Sequence, residues 1–186
     1  VSPHNSDFAY LGRRGSNSGE ISIYKIEGSQ INLVNDTGID LGVQPLNFTA
    51  TVFDSDTILY TNDKDMVLYS SNDAGQTWTA GEAIPEQPWS VGIYVLKSNP
   101  NIVFAGSNEC YISINGGSSW AKIADWWDYY DDVEYSIHAD MMSFNEYETT
   151  NGDPFLLIGN DGGISINHND HSNFQQGYQN IALENL

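Results

Sequence analysis

Apolar and polar residues alternate along this chain in short runs, broken by clusters of Gly, Asn, Asp and Ser. That pattern predicts strands joined by tight turns. The first strands fall at Phe8–Gly12, at Ile21 and Ile23 continuing to Tyr24 and Ile26, and at Ile31, Leu33 and Val34. This opening unit lacks a first strand. A second unit runs through Phe48, Ala50, Val52 and Phe53, then Ile58 to Tyr60, then Met66 to Ser71, with a last strand from Trp78. A third repeats the order: Trp89 to Lys97, Ile102 to Gly106, Cys110 to Ile114, and a strand from Trp120. In the fourth, Ser136–Phe144 is predicted as the inner strand, with His138, Asp140 and Met142 on one face at period two. A polar insertion at Asn145–Asp153 follows, then strands at Phe155–Ile158 and Ile164–Ile166, with Phe174 opening the last one. The units are bounded at 1–44, 45–88, 89–134 and 135–176, and 177–186 leads into a further unit.

One eight-residue pattern recurs. Ser71-Asn72-Asp73-Ala74-Gly75-Gln76-Thr77-Trp78 reads Ser-x-Asp-x-Gly-x-x-Trp. It returns at Ser113-Ile114-Asn115-Gly116-Gly117-Ser118-Ser119-Trp120, with Asn for Asp, and in degraded form from Ser165-Ile166-Asn167. Asp73 and Asn115 are placed to accept bonds from nearby backbone N–H groups, as in an Asx turn. Gly75 and Gly117 permit a left-handed backbone, and Trp78 and Trp120 pin each turn to its sheet. The motif resembles the Asp-box, or BNR repeat, of the sialidase, sortilin and xyloglucanase-like group. The resemblance implies an all-β fold, a β-propeller of about four four-stranded blades that forms part of a larger propeller completed by further blades or a second chain. It implies a secreted or cell-surface protein, with the boxes structural and away from any substrate. The function it implies is an extracellular binding or assembly module, whose loop face takes carbohydrate or a cell-surface protein. The alternatives are a xyloglucanase-like glycoside hydrolase and a structural subunit of a surface assembly. Sialidase activity does not fit, because Arg13 and Arg14 are the only arginines and are adjacent.

Composition narrows the partners. Twenty-five acids against six basic residues give a formal charge of -19, which disfavours nucleic acid and anionic membranes. No stretch is long and apolar enough to insert in a membrane as a helix. Cys110, the single cysteine, reads as a buried small hydrophobe. Asn35-Asp36-Thr37 and Asn47-Phe48-Thr49 fit the N-glycosylation pattern.

Candidate chemistry concentrates late in the chain. Trp126, Trp127, Tyr129 and Tyr130 either form a stacking platform for sugar rings or fill a gap between units. Asp128, Asp131, Asp132 and Glu134 offer oxygens for Ca²⁺ or form a solvated acidic face. His138 with Asp140 reads as a polar lining that binds a ligand, as a metal-ligand pair, or as a packed, mutually bonded pair. Asp132, Asp140 and Asp161 are the carboxylates available for acid–base work. Asn160-Asp161-Gly162-Gly163 has the composition of a hairpin turn.

Overall fold

The computed structural model describes residues 7–16, 18–54, 56–86, 92–125, 127–134 and 136–167, and the strand Tyr178–Ile181. Those residues form four antiparallel sheets, each a simple up-and-down meander. The first holds β1 (Phe8–Arg14), β2 (Glu20–Glu27) and β3 (Gln30–Asp40). The second holds β4 (Phe48–Phe53), β5 (Asp56–Asn62), β6 (Val67–Ser71) and β7 (Thr79–Ala83). The third holds β8 (Ile93–Val95), β9 (Val103–Gly106), β10 (Cys110–Ser113) and β11 (Ala121–Ala124). A four-residue helix, α1 (Asp128–Asp131), precedes the fourth sheet of β12 (Ser143–Glu148), β13 (Pro154–Asn160), β14 (Gly163–Asn167) and β15 (Tyr178–Ile181). No helix among the described residues is long and apolar enough to cross a membrane.

Three apolar cores lie between successive sheets. Ile21, Ile23 and Leu41 meet Ala50 and Leu59 between the first and second. Ile58, Tyr60 and Leu68 meet Ile93, Val95 and Val103 between the second and third. Leu96, Phe104 and Ile112 meet Met141, Phe144 and Leu156 between the third and fourth. Both faces of the middle sheets are therefore covered, which explains why Ile58 and Leu59, neighbours in sequence, are both buried. None of the three cores joins the fourth sheet to the first. The sheets stay separate and open. The expected β-propeller is corrected on this ground: among the described residues the four sheets stay open and no ring of blades closes, so the fold supports neither a propeller loop face nor the completion of a propeller by a second chain or further blades. Strand pattern reports which residues pair locally, and closure is a property of contacts between the ends that the pattern does not encode.

The two repeated turns are the same device. Ser71 Oγ donates to Asp73 Oδ1 (2.8 Å) and accepts from the Gly75 N–H (2.8 Å). Asp73 also accepts from the Thr77 N–H (2.8 Å) and the Thr77 hydroxyl (2.6 Å). In the second turn Ser113 Oγ donates to Asn115 Oδ1 (2.9 Å) and accepts from the Gly117 N–H (2.8 Å), while the Ser119 N–H donates to Asn115 Oδ1 (3.0 Å). Each turn carries two consecutive left-handed residues, Ala74 and Gly75 (φ 61° and 93°) and Gly116 and Gly117 (φ 65° and 89°). Each also docks on the sheet before it. Asn35 Nδ2 on β3 donates to Gln76 O (2.9 Å), and the Glu82 N–H on β7 donates to Gly117 O (2.8 Å). The tryptophans differ: Trp78 Nε1 donates within its own turn to Gly75 O (3.1 Å), whereas Trp120 Nε1 reaches Glu82 O (3.4 Å).

Three expectations shift in position. The segment 136–142 is not a strand; Asp140 sits at φ 60°, which breaks an extended run, and the edge strand starts at Ser143. His138, Asp140 and Met142 therefore do not share a strand face. The supposed polar insertion is β12 with its turn. The stretch expected to lead into another unit instead supplies β15, which pairs with β14. Phe174 lies outside the described residues. Asn47 is buried, with its amide donating to Asn62 Oδ1 (3.1 Å), so its glycosylation triplet is inaccessible in the folded chain. Cys110 is fully buried, and burial pushes its thiol pKa up.

Candidate functional site: the His138–Asp161–Asp140 cluster

Two elements bring the cluster together. Asn160 and Gly163 pair at the ends of β13 and β14, leaving Asp161 and Gly162 as the hairpin turn. The loop 136–142 crosses this turn, held by Met142 N–H donating to Gly159 O (2.7 Å) and Met141 N–H to Ser107 O (3.0 Å). His138 Nδ1 then lies 2.6 Å from Asp161 Oδ1 and 3.2 Å from Ala139 O. Both partners are acceptors, so Nδ1 carries the ring proton. In the neutral ring, Nε2 is left with the lone pair.

The ring is fixed on two further sides. Tyr129, from α1, meets it edge-on with centroids 4.3 Å apart. A Cβ on Gly162 would come within 2.6 Å of His138 Cγ. Glycine is required there because the hairpin backbone passes directly against the imidazole. The third member is Asp140. Its pKa is raised, chiefly by burial, then by the negative charge of Asp161 and a hydrogen bond with it, while His138 pulls the other way. Asp140 adopts its left-handed backbone at this point, a strained conformation for a non-glycine residue that surrounding contacts must hold.

The structure thus unites Tyr129, His138, Asp140 and Asp161. It does not unite the other candidates with them in one site. Trp127 and Tyr130 are exposed, 6.3 Å apart between centroids with planes tilted by 56°, and Tyr129 meets Tyr130 edge-on. These rings do not form a coplanar platform; Trp126 lies outside the described residues. Asp128, Asp131, Asp132 and Glu134 are all exposed on and after α1. Among the described residues no group of three His, Cys, Asp or Glu side chains converges to hold a metal ion. Ser71, Asp73, Gly75, Trp78, Ser113, Asn115, Gly117 and Trp120 build the two turns described above. Gly162 was missed by the sequence reading; the Asp-Gly-Gly run marked a turn but not what crosses it.

No family model matches the chain, and no curated protein matches it. Among solved structures it is similar to a GH74 enzyme of Niastella koreensis, with 17% identity and a TM-score of 0.53 over 93% of this chain and 28% of that one. It is also similar to the SREBP–SCAP binding domains of fission yeast (10% identity, TM-score 0.47, 98% of this chain and 56% of that one) and to YCF48 from Cyanidioschyzon merolae (12%, 0.41, 85% and 56%). The chain spans little more than a quarter of the length of the GH74 structure. That likeness concerns the fold alone. The resemblance to the sialidase, sortilin and xyloglucanase-like group is corrected accordingly: no family model matches the chain, its sheets do not close, and 17% identity over part of a GH74 enzyme carries no activity to this chain.

Proposed function

We propose that this chain carries an acid–base site in which His138 Nε2 exchanges a proton with a small polar substrate. The observation behind this reading is the 2.6 Å contact from His138 Nδ1 to Asp161 Oδ1. A carboxylate on Nδ1 fixes the tautomer and orientation of an imidazole and stabilises the imidazolium formed when Nε2 takes a proton. Gly162 and Tyr129 hold the ring in position. The site is partly open to solvent: the His138 side chain is 21% exposed and that of Asp161 45%.

The test uses p-nitrophenyl acetate, an ester whose hydrolysis imidazole accelerates. Release of nitrophenolate by the intact chain should follow deprotonation of one imidazole in its pH profile and fall to background in His138→Gln. Asp161→Asn should keep the ring but lose its orientation, lowering the rate by on the order of tenfold or more. If His138→Gln hydrolyses the ester at the rate of the unaltered chain, the reading is wrong.

A further inference from the structure

A second site lies along the free edge of the fourth sheet. Glu146, on edge strand β12, is 6% exposed. Its carboxylate accepts from the Lys97 N–H (2.6 Å) and the Ser98 hydroxyl (2.6 Å), and its own N–H donates to the Tyr94 hydroxyl (3.1 Å). These bonds tie the turn after β8 to β12. An open groove of about 580 Å³ runs beside them, lined by Lys97, Ser98, Glu146, Tyr147, Glu148 and Pro154 among others. That volume suits a small molecule.

The charges in the groove are unusual for this chain. Of its four lysines, Lys25 pairs with Glu27, Lys64 with Asp40, and Lys122 with Glu109 and Asp125. Lys97 has no carboxylate partner among the described residues; its ammonium touches only Glu146 O, at 3.4 Å. The cause is local, since the Glu146 carboxylate beside it is already engaged by the Lys97 N–H and Ser98. Two of the three ammonium donors therefore remain for something in the groove. Glu148 follows two residues along the strand, on the same side as Glu146, and is exposed. Tyr147 is 49% exposed and stacks on Phe155, its cross-strand partner, at 5.6 Å. Alternation puts Tyr147 on the opposite side of β12 from Glu146 and Glu148, so its ring bounds the groove at the strand edge, while Pro154, the cross-strand partner of Glu148, supplies the apolar surface on their side.

We infer that this groove binds a small zwitterion with an apolar body, of the amino-acid type. The ligand's carboxylate meets the Lys97 ammonium, its ammonium meets Glu148, and its apolar part lies against Pro154, with Tyr147 bounding the groove at the strand edge. Net charge decides the class. A chain of formal charge -19 repels a simple anion from the lysine, whereas a zwitterion arrives without that penalty. The site is distinct from the His138 cluster and does not depend on it.

Phenylalanine, 3-phenylpropanoate (no ammonium) and phenethylamine (no carboxylate) are titrated into the ¹⁵N-labelled chain. Phenylalanine should shift the amides of residues 97, 98 and 146–149 saturably, with each of the other two weaker by on the order of tenfold. Lys97→Met, an exposed change that keeps the side-chain length, should weaken phenylalanine by on the order of tenfold while leaving amides outside the groove in place. Glu148→Gln should weaken phenylalanine but not 3-phenylpropanoate. The inference is overturned if phenylalanine gives no saturable shift, if Lys97→Met binds it unchanged, or if 3-phenylpropanoate binds equally well.

Discussion

The repeated turn makes a sharp demand on position 73. Its carboxylate receives three hydrogen bonds, from the Ser71 hydroxyl, the Thr77 N–H and the Thr77 hydroxyl. Asp73→Ala removes all three. Asp73 is half-buried, so water replaces part of the loss, and a net value of about 0.7 kcal/mol per bond gives roughly 2 kcal/mol of destabilisation. Asp73→Asn should behave differently, because the second turn already shows the answer. There Asn115 Oδ1 holds the serine hydroxyl and the N–H four residues on, and Nδ2 donates to Ser119 Oγ (2.9 Å). An asparagine at 73 can use the Thr77 hydroxyl in the same reversed sense. Its cost at pH 7 should stay within about 0.5 kcal/mol. Urea unfolding followed by tryptophan fluorescence measures both. With a slope of about 2 kcal/mol/M, Asp73→Ala lowers the midpoint by roughly 1 M and Asp73→Asn by less than about 0.3 M, with unchanged slopes. The pH dependence supplies an internal check. Burial raises the Asp73 pKa, but the bonds from Thr77 and Ser71, with the nearby Gln76 N–H, outweigh it and the net shift is downward. A depressed carboxylate contributes stability that is present above the unfolded pKa and lost as pH falls through the folded one. Asp73→Asn should lack that loss. Equal destabilisation by Asn and Ala would refute the reasoning, since it would mean that the charge and not the bonding pattern holds the turn.

Two further outcomes follow from the geometry. Gly117→Ala combines a φ of 89° with a Cβ that would lie 2.4 Å from Leu68 Cδ2, and should cost about 2–5 kcal/mol from strain and overpacking together; Gly28→Ala, at φ 58° with nothing within 4 Å, should cost only about 1–2 kcal/mol in the same urea assay. Asp140 has a raised pKa, so its folded form holds a proton more tightly than its unfolded form, and its contribution to stability declines as pH rises through the folded value. Asp140→Asn should therefore gain stability relative to the unaltered chain on going from acid to neutral pH; a difference independent of pH would show that only the backbone strain at 140 matters.

Much of the secondary structure was legible because its cause is local. The alternation at Phe48–Phe53 and the turn residues at Asp73–Gly75 and Asn115–Gly117 are written in adjacent positions. Ser136–Phe144 misled for the same reason: His138, Asp140 and Met142 have a strand's period, but Met141 N–H and Met142 N–H are committed to Ser107 and Gly159, and these partners lie far along the chain. The candidate site was half legible. His138, Asp140 and Asp161 were each identified, yet their union depends on the loop crossing the β13–β14 turn, which no spacing records. The Lys97 groove left no trace in sequence, since it arises from Glu146 being engaged across 49 residues. The architecture was misread because local repetition was taken to imply the blades of a larger propeller.

The polar ties between the sheets have a consequence for how the molecule comes apart. Asn35 reaches Gln76, Tyr60 reaches Pro100 O (2.9 Å), Glu82 reaches Gly117, and the Lys97–Ser98 turn reaches Glu146. Every one of these links a sheet to its successor in the chain. Coupling of this kind is transmitted stepwise and fades with each interface, as in nearest-neighbour arrays. Loss of the outermost sheet leaves the remaining interfaces intact, so the two inner sheets, held from both sides, should be the last to surrender their amide protons to solvent.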